Sequence, residues 1–298
     1  MNYNFVLRTH HGYNIPYIIT LSINGIYRMK LKNKQNYSLT YLESFNIKNE
    51  AEGLMEPSGL VLSHGGNALW TISDDTSKIF KISLTGKLKK AKSFKISDSE
   101  LEGITLIQDG EFFLVVKESN NEIIKIMIET QEVIDRKCLD EMAGYDAIAH
   151  HFSNGVLNKG LEGITWNQNT GTIFVMKESS PGLLMEISAN LQTITSHCLL
   201  NHDNGFYDAD VSAEELDFSD ICYDQTQDCF WIISDMARRL FLYDWQANKV
   251  IQSLKLGYGQ EGEYREIEKA EGIAINPDEN RLYIVSDETA RLYTFDLR

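Results

Sequence analysis

Short, continuous runs of β-branched and aromatic residues recur along the chain, at 69–72, 112–116, 173–176, 230–233 and 282–285. Apolar positions in them do not alternate with polar ones, which predicts strands covered on both faces. A shorter apolar segment precedes each run. It opens Ser58-Gly59-Leu60, Glu102-Gly103-Ile104, Glu162-Gly163-Ile164, Ser219-Asp220-Ile221 or Glu271-Gly272-Ile273. Turns rich in glycine, asparagine and aspartate separate the two, as in His64-Gly65-Gly66-Asn67 and Asn276-Pro277-Asp278. A third strand follows, for example at 78–84 or 291–297, and then a more polar fourth at 92–96, 131–138, 191–199 and 249–256. No segment keeps an apolar period of 3.6, so a helical repeat is disfavoured.

Successive openings lie 44, 60, 57 and 52 residues apart, room for four antiparallel strands per unit. That pattern predicts an all-β fold, a five-bladed β-propeller. The last unit ends after its third strand. The N-terminal segment 37–47 supplies the missing fourth strand, closing the ring and removing an open edge. The expected domains are a propeller over 37–298 and an extension over 1–36. In the extension, 18–23 and 26–31 read as a hairpin around Asn24-Gly25. It is either an appendage or a degenerate sixth blade.

An interval of sixteen residues links each opening to an acid: Ser58 to Asp74, Glu102 to Glu118, Glu162 to Glu178, Ser219 to Asp235, Glu271 to Asp287. Strands alternate in direction, so both ends of the interval fall at the same end of a blade. Inner strands line the channel of a propeller. Glu102, Glu162 and Glu271 are therefore expected around one channel mouth, with Asp74, Glu118, Glu178, Asp235 and Asp287 behind them and Asp220 nearby. So many carboxylates must take up protons or bind cations. Calcium suits such an oxygen set better than magnesium, which demands a tighter octahedron. The competing reading is that the outer acids only cap turn amides. Lys117 and Lys177 precede two of them and are expected to form solvated salt bridges there.

The chain has 298 residues and a net charge of −15, which disfavours nucleic acid and anionic membranes as partners. No run of eighteen apolar residues occurs, so no membrane-spanning helix is expected. Residues 1–30 lack the basic start, apolar core and cleavage site of a secretory signal. Cys138, Cys198, Cys222 and Cys229 form no CxxC pair, and free thiols are expected, with Cys222 and Cys229 on the arms of one hairpin. Long links at 140–160, 201–218 and 257–270 reach the acidic end. They carry His150, His151, His202, Asp203, Tyr207, Asp208 and Asp210.

The phrases Leu161-Glu162-Gly163-Ile164-Thr165-Trp166, Asp217-Phe218-Ser219-Asp220-Ile221-Cys222-Tyr223-Asp224 and Ala270-Glu271-Gly272-Ile273-Ala274 resemble the SdiA-regulated (YjiK-like) family. The resemblance spans about residues 37–298. It implies a bacterial five-bladed propeller distantly related to NHL-repeat proteins, with bound calcium and no established reaction. It also implies the cell envelope, although no clear export signal is seen. Carried onto this chain, the cation role falls on Glu102, Glu162 and Glu271, with Glu118, Glu178 and Asp287 as secondary ligands. The Glu162–Trp166 phrase is also similar to the metal-binding Glu-Gly-Pro-x-Trp motif of gluconolactonase-type propellers, with isoleucine in place of proline. Two functions are compatible with these residues. One is a calcium-binding module that binds a ligand or scaffolds. The other is a metal-dependent hydrolase of a lactone or phosphoester.

Overall fold

A computed structural model of the chain describes residues 17–22, 25–30, 36–73, 76–152, 160–259 and 263–298. Contacts divide it into two units, 1–36 and 37–298. In the first, Tyr17–Ser22 pairs antiparallel with Gly25–Lys30, with Ser22 opposite Gly25. Each strand starts and ends one residue earlier than expected. Residues 23–24 at its turn lie outside the described residues.

The second unit is a five-bladed β-propeller of four-stranded antiparallel blades. From the channel outward, the first blade is Pro57–Leu62, Leu69–Ser73, Thr76–Ile82 and Phe94–Lys95. The second is Leu101–Ile107, Phe112–Lys117, Glu122–Met127 and Glu132–Cys138. The third is Leu161–Asn167, Thr172–Lys177, Gly182–Ser188 and Ile194–Leu200. The fourth is Ile221–Asp224, Cys229–Ser234, Arg239–Asp244 and Lys249–Lys255. The fifth is Ala270–Asn276, Arg281–Ser286, Arg291–Leu297 and the N-terminal Leu39–Asn46. The closing strand runs opposite the C-terminal one, with Leu39 facing Leu297 and Asn46 facing Arg291. Tyr37 extends the closure to the fourth blade. Its hydroxyl donates to Asp224 Oδ2 at 2.9 Å, and its ring meets Trp231 edge-on at 5.2 Å.

Burial explains the unbroken apolar runs. Each of five apolar clusters joins two neighbouring blades, so a second strand is covered on both sides. Val116 and Leu161 share one such cluster, and Phe174 and Phe230 another. The outer strands alternate instead, as in Lys249–Lys255, because only one face meets the ring. The first blade departs from expectation. Its outer strand shrinks to Phe94–Lys95 because Lys90–Lys92 winds into a single 3-10 turn. All four cysteines are free, and Cys222 and Cys229 do lie on two arms of one hairpin.

Candidate metal centre at the channel mouth

A β-bulge builds the mouth. In the second blade Leu101 faces Lys117 and Ile104 faces Val115, so Glu102 and Gly103 together oppose Val116. The same shift falls between Leu161 and Gly163, Ala270 and Gly272, and Pro57 and Leu60. Bulges re-aim a side chain at sheet ends. Here each bulge carries the opening residue of the repeat: Glu102, Glu162, Glu271 or Ser58.

The glycine that follows is required by the narrow ring. A Cβ on Gly103 would lie 2.4 Å from the Glu162 carbonyl oxygen, and one on Gly272 would lie 2.3 Å from that of Ser58. Inner strands thus approach backbone to backbone. The fourth blade breaks this column with Asp220, which is almost fully buried. Its carboxylate accepts the Ile221 N–H at 2.8 Å, the Ile273 N–H at 2.9 Å and the Leu60 N–H. One side chain therefore ties the inner strands of the fourth, fifth and first blades. Burial pushes its carboxyl up, and the three amides pull it back. From the sequence Asp220 is expected only near the mouth. The signal for its role was that it alone replaces glycine at the second position of the repeat.

Glu118, Glu162 and Glu178 each offer a carboxylate oxygen within 4.8 Å of the others, and all three are half-buried. Burial drives the Glu162 carboxyl well above its ordinary range, and Glu102, Glu271, Glu178 and Glu118 add to the effect. Burial likewise raises Glu271, aided by Asp235, Asp287 and Glu102 and opposed by Lys269. Glu102 thus acts on both of the other inner acids, while among the described residues the tight cluster forms between the second and third blades.

Two of the outer acids do structural work as well, each accepting a backbone amide of the next blade. Glu118 Oε1 accepts the Gly160 N–H at 3.1 Å, at the entry to the third blade. Asp235 Oδ1 accepts the Ala270 N–H at 3.3 Å, at the start of the fifth. Burial and the nearby Asp217 raise the Asp235 carboxyl. Asp287 is ion-paired with Lys269. Asp74 lies outside the described residues. Lys177 corrects an expectation: it is buried, not solvated. Its ammonium donates to the Ser179 and Pro181 carbonyls and sits 5.7 Å from the Phe152 ring.

Of the loop residues, Asp208 is held below the usual carboxylate range despite its burial, by the Asp210 N–H and by Arg239. The His151 ring centre lies 3.8 Å from that of His150, with the two rings tilted by 43°. Burial lowers its pKa, as do the charges of His150, His197 and Lys177.

The opposite end of the same inner strands is unlike this. Leu62, Leu106, Trp166, Tyr223 and Ile275, one from each blade, form a half-buried apolar collar. They line a cup of about 620 Å³ rimmed by His64, Gln108, Asp109, Gln168 and Asp278.

A family model described as SdiA-regulated matches residues 35–296. Among solved structures, that of Myxococcus xanthus glutaminyl cyclase is similar, with a TM-score of 0.57 and 11% identity over 87% of this chain and 96% of that one. The Myceliophteria thermophila Cps50 (Swd1) β-propeller domain matches with a TM-score of 0.49 and 9% identity, over 87% of this chain and 99% of that one. At 11% identity the likeness to the first is one of fold alone.

Proposed function

Since the chain belongs to the SdiA-regulated family, we propose that it is a calcium-binding β-propeller whose acidic channel mouth binds a ligand or scaffolds a partner. The observation that carries this reading is the Glu118–Glu162–Glu178 cluster, with oxygens within 4.8 Å of one another. Two oxygens on opposite sides of a calcium ion lie about 4.8 Å apart, twice a bond of about 2.4 Å. One ion between the second and third blades therefore fits the set. A divalent cation there also offsets the burial and the neighbouring acids that together raise Glu162. Glu102 and Glu271 deepen the negative field. Asp287 has to leave Lys269 before it can join as a ligand. Calorimetry on chelator-treated protein tests the reading. Calcium is expected to bind and raise the melting temperature, and Glu162→Gln to weaken both effects. No heat and no shift would end the proposal.

A metal-dependent hydrolase of a lactone or phosphoester is the second reading. It draws on His151, which its surroundings keep neutral and able to accept a proton near pH 7. A protein named as a glutaminyl cyclase shares the fold. In this reading the ion polarises the scissile group, and His151 or an outer carboxylate activates water. A panel of lactones, aryl esters and phosphoesters assayed with calcium decides. A rate unchanged by Glu162→Gln and Glu271→Gln rejects it.

A further inference from the structure

The net charge of −15 averages over a segregated surface. Seven lysines lie between Lys78 and Lys95, and no aspartate or glutamate occurs from Thr76 to Ser97. These seven supply +7, so the rest of the chain nets −22. The segment builds the outer half of the first blade. There the strand Thr76–Ile82 turns at Gly86, passes through the 3-10 turn Lys90–Lys92 and ends in the short strand Phe94–Lys95. Lys87, Lys89, Lys90, Lys92 and Lys95 are exposed.

The lysines crowd one another. Lys81 sits 4.4 Å from the Trp70 ring, and burial together with the charges of Lys89 and Lys92 pushes its ammonium down. Among the described residues the carboxylate that meets this group is Glu52, which pairs with Lys78 at 2.6 Å and with Lys90. Lysines on an outer strand do guard a sheet edge against pairing. Mixed charges do that at less electrostatic cost, as the second blade shows. Its outer strand Glu132–Cys138 carries both signs, and Arg136 there pairs with Asp98 and Glu122. Edge protection therefore leaves the single-sign field of the first blade unexplained.

We propose that this edge docks onto an anionic phospholipid surface. A dispersed set of ammonium groups on flexible stems suits a plane of phosphate head groups. The segment holds no arginine fork, and Trp70 and Phe94 are buried, so it offers no platform on which bases could stack. Attraction acts over a Debye length of about 8 Å at physiological salt. The lysine edge can therefore engage a surface while the acidic mouth, at the ring axis, stays clear of it.

Co-sedimentation of the whole chain with vesicles tests this. Phosphatidylglycerol-rich and pure phosphatidylcholine vesicles are compared, both in EDTA so that calcium cannot bridge carboxylates to phosphates. The expected result is binding to the anionic vesicles alone, lost progressively as salt rises from about 50 to about 200 mM and screening shortens the attraction. The combined variant Lys87→Glu, Lys89→Glu, Lys92→Glu, Lys95→Glu is expected to lose it. If that variant fails to fold by circular dichroism, Lys89→Gln with Lys92→Gln replaces it, and a partial loss is expected. Equal binding to both vesicles, no binding at low salt, or undiminished binding by a folded variant overturns the proposal. Tighter retention on duplex DNA than on vesicles overturns it as well.

Discussion

The two mouths of the channel are made by the same five strands and share almost no chemistry. At one end bulges carry Glu102, Glu162 and Glu271, and Glu118 and Glu178 crowd against Glu162. At the other end the same strands present Leu62, Leu106, Trp166, Tyr223 and Ile275. The apolar collar follows from ordinary packing. The acidic mouth opposes it, because half-buried like charges destabilise the fold that holds them. A feature that works against folding at one end of a repeat, and is absent from the other, points to function at the costly end. Between them lie the glycine column and Asp220, which fix how closely the inner strands approach.

Breaking that middle layer is expected to have the largest effect. Gly103→Ala places a methyl against the Glu162 carbonyl and should cost about 3 kcal/mol, read from urea unfolding. Next comes Asp220→Ala, which leaves the Ile221, Ile273 and Leu60 amides without their acceptor and should cost about 2 kcal/mol. Both are expected to damage the two mouths together. Glu162→Gln damages only one. It should weaken calcium binding at least about tenfold, or 1.4 kcal/mol, while stabilising the calcium-free protein.

The pH dependence sharpens the contrast. Glu162 and Glu271 have raised pKa values, so their cost is absent below the ordinary carboxylate range and grows as pH rises toward the raised values. Asp98 and Asp208 have lowered values. Arg136 outweighs burial at the first, and the Asp210 N–H with Arg239 outweighs it at the second. Their stabilisation is present above the ordinary range and lost as pH falls. In EDTA, the melting-temperature gain of Glu162→Gln over the parent should be near zero at acid pH and increase toward pH 8. A gain independent of pH would detach Glu162 from the titration. The smallest effect belongs to the far mouth. Trp166→Leu should change calcium affinity by less than about twofold, about 0.4 kcal/mol.

The fold was legible because burial between blades makes each second strand a continuous apolar run, visible at 112–116 or 230–233 without any structure. The closing strand followed from a blade that ended one strand short at Leu297. The outer strand of the first blade was legible only in part: a strand is expected at 92–96 and is found shortened to Phe94–Lys95. Lys90–Lys92 winds into a 3-10 turn, and the lysines at 87, 89, 90, 92 and 95 run through turn and strand alike, so the boundary leaves little mark in the sequence. At the site, the sixteen-residue interval located the acids, since it spans a strand, a turn and a partner strand. It did not show which acids converge. That depends on contacts between blades: Glu118 meets Glu162 across the boundary of the second and third, and Asp287 turns to Lys269 instead. The role of Asp220 was hidden for the same reason, because its three amides come partly from residues far away in sequence.

Anomalous diffraction from calcium-soaked crystals tests the central claim most directly. The expected result is one strong peak at the acidic mouth, within about 2.6 Å of oxygens from Glu118, Glu162 and Glu178, and no peak there in Glu162→Gln crystals. A map without a peak at that mouth, or with calcium bound only elsewhere on the ring, would contradict it.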